Sequence, residues 1–375
     1  MKIAIVGPAH PYKGGAAQHT TALAHRLSAA GHQVVLLSWT AQYPKLLYPG
    51  QLTVDTPELP LFGHTERVLA WYRPDGWWRT GRRLARERFD VLVLCVVTPI
   101  QAPAYLTLAR AARAAGCPVL ALCHNVLPHE GRAFDRPLMT ALLRRVDAVI
   151  VHSDAEAAVA ASLTTAPVQV TVMPPHLPGV ALAGGPGAAP VAGPTHHRLL
   201  FFGMVRPYKG LDVLLQALAQ ASPAVALTVA GEIWDGRDGL AQLIASLGLA
   251  DRVTLAEGYV AAADIPALFA TADALVLPYR SATASQNPLL AFQYGVPVIA
   301  TRAGSIAATV TDGVNGLLCT PGDAADLARA ISQLSQPGTL ARLRQGARPA
   351  DPGPLWDDYL AAISKAIPAA SSCSP

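Results

Sequence analysis

Charge is scarce in this sequence. Asp, Glu, Lys and Arg supply 14% of the 375 residues and leave a net charge of only +4. That excludes the dense basic clustering of a nucleic-acid binder, so no nucleic-acid partner is expected, while the mild surplus suits anionic small ligands. Cysteine is scarce too. The five (Cys95, Cys117, Cys123, Cys319 and Cys373) are odd in number and scattered. They lack both a disulfide framework and a paired metal-ligand spacing, and read as reduced, buried thiols of a cytoplasmic protein. No uncharged apolar run is long enough to span a bilayer, and the first residues enter a strand, KIAIV, without a signal-peptide pattern. The expectation is a soluble protein, at most peripheral to the inner face of a membrane.

What is present is a packed globular chain, 51% hydrophobic, long enough for two domains. Lys2 to Val6 reads as a central parallel strand. The loop Gly7 to Gly15 follows, then a helix from about Ala16 to Ala30 burying Thr20, Leu23, Ala24 and Leu27, then a strand at Val34 to Leu37. The loop lacks the GxGxxG dinucleotide fingerprint. Its paired glycines, Gly14 and Gly15, suit either a tight turn or close approach of the backbone to a ligand. Trp39 to Arg73 reads as an irregular section that shapes a binding face. Trp77 to Arg88 reads as an amphipathic helix with Trp77, Trp78, Gly81, Leu84 and Ala85 inward and Arg79, Arg82, Arg83 and Arg86 outward. It is either an ordinary surface helix or a membrane-facing one, the former favoured. Strands at Phe89 to Val97 and Pro118 to Leu122 flank a helix at Leu106 to Ala115. The second strand ends in Cys123-His124-Asn125, where open α/β sheets bind ligands; His129 and Glu130 follow closely. A further strand, Val146 to Val151, ends at His152.

Pro174 to Thr195, dominated by Pro, Gly and Ala, contains the interdomain linker, set at 179–196. Domains are expected at 1–178, joined by a last helix within 354–375, and at 197–353. The alternation of strand and helix restarts at Arg198. Strands at Arg198 to Phe202, Ala226 to Ala230, Val253 to Leu255, Ala274 to Leu277 and Val298 to Ala300 alternate with helices, including Ile265 to Ala270, Leu289 to Tyr294 and one after Asp323. The most informative stretch is FFGMVRPYKGLDVLLQALA, from Phe201 to Ala219: a buried strand, a loop with Arg206 and Lys209, and a helix opening after Gly210. Two cations at a helix N-terminus suit an anion, and a solvated basic loop is the competing reading.

An ordered set of segments then carries a resemblance over nearly the whole chain: GGAAQHTTALAHRLSAAGHQV, HNV after a strand, FFGMVRPYKGLDVLLQAL, VAGE, LPYRSA, GVPVIAT and DGVNGLL. In that order and spacing the chain resembles a family four glycosyltransferase. The resemblance implies a GT-B fold, with two Rossmann-like doubly wound domains facing a cleft and a C-terminal helix crossing back to the first. It implies a hexosyltransferase that retains the anomeric configuration and uses a nucleotide-diphosphate sugar as donor, with no metal and no cofactor. The implied acceptor is a sugar, glycolipid or glycan in bacterial polysaccharide or glycoconjugate synthesis. By the same resemblance Arg206, Lys209 and His124 are catalytic. Gly14, Gly15, Gly203, Glu232, Tyr259, Val260, Ser285, Gln286, Asn287 and Leu289 bind the donor, and His10, His19 and Asn125 face the acceptor.

Three departures qualify it. The family's arginine directly follows the strand glycine, where this chain has Met204; Arg206 stands three residues before Lys209. The family's two glutamates, eight residues apart, are replaced by Ala282 and Leu290. Between them stand Thr283, Ser285, Gln286 and Asn287, so hydroxyls of the donor would be held by hydroxyl and amide groups, or by backbone N–H groups near Pro288. Two alternatives follow: a catalytically weak paralogue that binds nucleotide sugar or a partner glycosyltransferase, and an inverting enzyme with His19 as general base. A hydrolase is disfavoured, since no acid pair is placed for it.

Overall fold

A computed structural model of the chain describes residues 1–44, 52–54, 57, 59–128, 131–177, 197–234, 236–283 and 285–367. The linker at 179–196 and Tyr48, Pro49, Gly50, His129, Glu130 and Cys373 lie outside the described residues. The chain forms two compact units, Met1–His176 together with Pro352–Pro375, and Leu177–Asp351.

The first unit runs β1 (Lys2–Val6), α1 (Gly15–Ala29), β2 (Gln33–Ala41), β3 (Thr65–Ala70), α2 (Pro74–Glu87), β4 (Val91–Val96), α3 (Ala102–Ala114), β5 (Val119–Cys123), α4 (Asp135–Leu143), β6 (Ala148–Val151), α5 (Asp154–Ala161) and β7 (Val168–Val170). All strand pairs are parallel, in the order β3-β2-β1-β4-β5-β6-β7. Every residue of β4 and β5 is buried, as strands covered on both faces must be. Successive residues serve opposite faces. Ala4 and Val6 join the core that includes Tyr105 and Leu108 of α3, while Ile3 and Ile5 join Leu23 and Leu27 of α1.

Two expectations are corrected in this unit. The section from Trp39 to Arg73 is not wholly irregular: β2 extends to Ala41, and β3 pairs with it at the sheet edge. The sequence TERVLA buries only its last two residues, so its hydrophobic pattern is weak. Trp78 does not join the buried face of α2. Gly76, Thr80, Gly81 and Leu84 form that stripe, and Trp78 is 57% exposed with the Arg82 guanidinium over its ring.

The second unit runs β8 (His197–Phe202), α6 (Leu211–Gln220), β9 (Val225–Gly231), α7 (Arg237–Ser246), β10 (Val253–Glu257), α8 (Ile265–Ala270), β11 (Ala274–Leu277), α9 (Asn287–Gln293), β12 (Val298–Thr301), α10 (Ile306–Thr309), β13 (Gly316–Cys319), α11 (Ala324–Gln333) and α12 (Thr339–Gly346). Its sheet is again parallel, ordered β10-β9-β8-β11-β12-β13. Leu214 and Leu218 of α6 and Ile331 of α11 cover one face; Phe269 of α8 and Leu290 of α9 cover the other. The last helix, α13 (Pro352–Ala366), belongs to the first unit, where Trp356, Tyr359 and Ile363 pack with Ile3 and Ile5. Cys95, Cys117, Cys123 and Cys319 are buried free thiols.

The strand order reverses between β8 and β11, the switch point at which parallel α/β sheets open a crevice beyond their C-terminal ends. There the loop after β9 presses on the loop after β8. A Cβ on Gly231, whose φ is +151°, would lie 2.2 Å from the Gly203 carbonyl oxygen. Gly231→Ala is therefore expected to cost about 3 kcal/mol and lower the melting temperature of this unit by roughly 6–12 °C. Gly239→Ala, with nothing within 4 Å of its new Cβ, is the control and should cause no loss in the same thermal scan.

Candidate active site

At the switch point of the second unit, β8 ends in Phe202 and the chain passes through Gly203 to a single turn of 3-10 helix, Pro207–Lys209. Gly210 ends that turn at φ +68° and serves as the N-cap of α6. A Cβ there would lie 2.1 Å from the Pro278 carbonyl oxygen, so only glycine lets the turn sit against the end of β11. Arg280 completes the fastening. Its backbone N–H donates to the Tyr208 carbonyl at 2.7 Å. Its Nη1 donates to the Pro207 carbonyl at 2.9 Å, and its guanidinium forks onto Asp212 in the first turn of α6 at 2.8 and 2.5 Å.

That turn holds Lys209 in place. A Cβ on Gly203 would lie 3.3 Å from Lys209 Nζ and 3.9 Å from Asn287 Nδ2, so lysine, glycine backbone and amide converge on one spot. Lys209 Nζ lies 5.6 Å from the centroid of the Tyr279 ring. Among the described residues it has no hydrogen bond and no carboxylate partner. Burial draws its pKa below the ordinary lysine value, and the Arg206 guanidinium acts in the same direction. A half-buried ammonium without a counter-charge is costly, and an anion at this spot removes the cost. Arg206 itself stands near Trp234, its guanidinium 6.0 Å from the ring.

The loop before α9 supplies neutral groups. Asn287 Nδ2 donates to the Phe202 carbonyl at 3.1 Å and to Tyr279 Oη at 3.3 Å, and its backbone N–H donates to Ser285 Oγ at 3.4 Å. Ser285 also hydrogen-bonds the Tyr279 phenol, whose pKa burial raises to about 12. Gln286 Oε1 is buried without a hydrogen-bond partner among the described residues. The two positions without carboxylates are apolar. Leu290 is buried and Ala282 packs against the same core, so no charge stands in for the missing pair. Glu232 follows β9, its carbonyl accepting from Val205 N–H at 2.9 Å. Tyr259 is exposed and Val260 half-buried after β10.

In the first unit the structure gathers a different group. His19 of α1, His124 after β5, His152 after β6 and His176 surround one point, with His19 ring centroids 4.9, 6.3 and 5.2 Å from the other three. Trp356 and Tyr359 of α13 close the cluster, at 5.7 and 5.3 Å from His19. His176 Nε2 lies 3.4 Å from where a Cβ on Gly15 would stand, which ties the cluster to the exposed Gly14-Gly15 turn at the start of α1. His19 and His10 are buried, at 0% and 2% exposure, so neither ring faces solvent. His19, the general base of the inverting alternative, is enclosed by this cluster, and burial together with the three neighbouring histidines holds its pKa well below the usual value. Asn125, next to His124, is half-buried. Among the described residues no group of three or more His, Cys, Asp or Glu side chains is arranged to hold a metal ion, and no helix is long and apolar enough to cross a membrane.

Sequence reasoning did not find Tyr279, Arg280 and Asp212. LPYR at the end of a strand was a signal for the first two, but their partners are distant in the chain.

Two doubly wound parallel units in one chain are the architecture of the GT-B class. Residues 13–177 match the model of Glycosyltransferase Family 4 and residues 196–336 that of Glycosyl transferases group 1, and the chain belongs to the family 4 glycosyltransferases. It is 32% identical over 249 residues to the D-inositol 3-phosphate glycosyltransferase of Stackebrandtia nassauensis, covering 59% of this chain and 54% of that one. The Salinispora arenicola protein of the same name is 35% identical over 160 residues, covering 40% and 36%. The chain thus spans about half the length, or less, of these relatives. Among solved structures it is similar to Anabaena Alr3699/HepE in complex with UDP and glucose, with TM-score 0.72 and 20% identity over 97% of this chain and 100% of that one. It is also similar to the lipopolysaccharide outer core galactosyltransferase WaaB in its apo form, with TM-score 0.69 and 15% identity over 97% and 99%. At these identities the likeness is one of fold.

The histidine cluster predicts a pH dependence. Burial lowers the pKa of His152 and of His176 to about 4, and those of His19 and His124 well below the ordinary value. The folded state therefore keeps these rings neutral while the unfolded chain takes up protons below about pH 6.5. Stability is full above that pH and falls as pH drops toward 4, by about 1.4 kcal/mol per pH unit for each such histidine. Urea unfolding followed between pH 7.5 and 4.5 should show the loss, and a flat profile contradicts it.

Proposed function

We propose that the protein transfers a sugar from a nucleoside-diphosphate donor to an acceptor hydroxyl, with retention of configuration and without a metal. The observation that carries this reading is Lys209: a half-buried cation with no carboxylate partner among the described residues, beside a glycine backbone and an amide, at the start of a helix. When the bond from the sugar C1 to the β-phosphate oxygen breaks, its electron pair leaves with the diphosphate. Lys209, Arg206 and the N-terminus of α6 lie where that charge develops. The acceptor oxygen bonds to C1 and its proton passes to the departing phosphate oxygen on the same face, which gives retention without a carboxylate pair. UDP is the donor nucleotide this reading favours, since Anabaena Alr3699/HepE was solved with UDP and with UDP-glucose.

Gly203 admits the phosphates. Gln286 Oε1, a buried acceptor without a protein donor, takes a hydroxyl of ribose or sugar, with Ser285, Asn287 and the backbone before Leu289 beside it. Glu232, Tyr259 and Val260 form the nucleoside side. Within the first unit, this reading assigns Gly14, Gly15 and His124 to the donor sugar and His10, His19 and Asn125 to the acceptor, with His10 and His19 buried. The acceptor is a sugar, glycolipid or glycan of bacterial polysaccharide or glycoconjugate synthesis, met in the cytoplasm.

A second reading rests on Ala282 and Leu290, which leave the site without the carboxylates of relatives: the protein binds nucleotide sugar with little turnover. Donor hydrolysis and transfer, measured beside UDP binding, separate the two, because binding with neither reaction supports the second.

Lys209→Ala is expected to lower kcat/KM for transfer by about 10²-fold or more and to weaken UDP binding in calorimetry; full turnover by the variant contradicts the reading. Arg280→Ala is expected to cost under about 1 kcal/mol of stability, because its ion pair with Asp212 is partly exposed. It should nonetheless weaken UDP binding several-fold, because the Lys209 turn loses its fastening. Equal affinity of variant and wild type would show that Arg280 has no positioning role. NMR of the product anomer and assay in EDTA test retention and metal independence.

A further inference from the structure

A second basic site lies in the first unit, apart from every residue assigned above. A cavity of about 610 Å³ is lined by Arg110 of α3, Arg144 and Arg145 directly after α4, and Ser162, Thr164 and Thr165 directly after α5. No Asp or Glu lines it. Several other arginines of this unit meet carboxylates: Arg73 and Arg79 pair with Asp75, Arg83 with Glu66 and Glu87, and Arg113 with Asp147. Arg136, in the first turn of α4, donates to Ser162 Oγ at 3.1 Å. By contrast the guanidinium groups of Arg110, Arg144 and Arg145 have no hydrogen bond, ion pair or ring contact among the described residues.

The charge does not balance within the fold. Helices α4 and α5 both end at this cavity, and each C-terminus contributes about half a negative charge. Two such ends offset roughly one of three guanidinium charges, leaving a surplus near +2 around one concavity. Like charges so placed repel one another. A dianionic group removes the surplus, and the guanidinium fork matches the geometry of phosphate oxygens.

We propose that this cavity binds a terminal phosphate group, carried either by a soluble phosphorylated compound or by the headgroup of an anionic lipid. The site stands on different residues from the donor site and does not depend on how that site is read.

The test uses the full chain with Lys209→Ala as background, so that the donor turn does not dominate phosphate binding. Inorganic pyrophosphate is titrated calorimetrically, and co-sedimentation is measured with phosphatidylcholine vesicles with and without phosphatidic acid. Both are repeated after Arg110→Gln, Arg144→Gln and Arg145→Gln are introduced together. These side chains are at the surface, and an unchanged melting temperature confirms that the triple variant folds. At least a roughly tenfold loss of pyrophosphate affinity in the triple variant is expected if the ligand is a soluble phosphate. If the source is a lipid headgroup, binding to phosphatidic acid vesicles is lost in the triple variant while pyrophosphate binding by the Lys209→Ala background is weak. Pyrophosphate and vesicle binding both unchanged by the three substitutions overturns the proposal.

Discussion

A lysine without a counter-charge among the described residues is the constraint on which the second unit turns. Lys209 is kept half-buried by contacts that fix its backbone and leave its ammonium unanswered. Gly210 allows the turn to lie against Pro278, and Arg280 grips Pro207, Tyr208 and Asp212. Asp212, in the first turn of α6, is engaged by Arg280. That arrangement keeps the cation available at the cost of its own solvation, a balance suited to binding an anion whose charge grows during reaction.

The sheet makes this possible. Parallel strands carry their helix-opening loops to one edge, and the reversal of strand order between β8 and β11 separates two of those loops enough to expose a helix N-terminus. The glycines at the ends of β8 and β9 then let backbone meet backbone, with Gly203 N–H donating to the Ala230 carbonyl at 2.8 Å and Gly258 N–H to the Gly231 carbonyl at 3.2 Å. In the first unit the same edge is filled by neutral histidine rings and capped by α13. The Gly14-Gly15 turn therefore rests on a polar but uncharged floor.

Much of this was legible in the residues. The run Leu211, Leu214, Leu215 and Leu218 announced α6, and the glycine before it marked its start. β3 escaped because an edge strand buries little, so TERVLA carries almost no alternation. Trp78 misled because a large aromatic on an amphipathic helix reads as core, whereas here it carries a guanidinium on its face. The Arg280–Asp212 grip and the histidine cluster were invisible for another reason. They join residues from separate elements, and only the folded topology brings such partners together. The loss of carboxylates at Ala282 and Leu290 was readable, but the burial of Leu290 in the α9 core shows that this position now serves packing.

The most direct measurement is the pKa of the Lys209 ammonium, followed by heteronuclear NMR in the free protein and with UDP. If the diphosphate is the missing counter-charge, the pKa lies below the ordinary lysine value in the free protein, because burial and Arg206 both lower it, and rises when UDP binds. An unchanged pKa in saturating UDP would contradict the account.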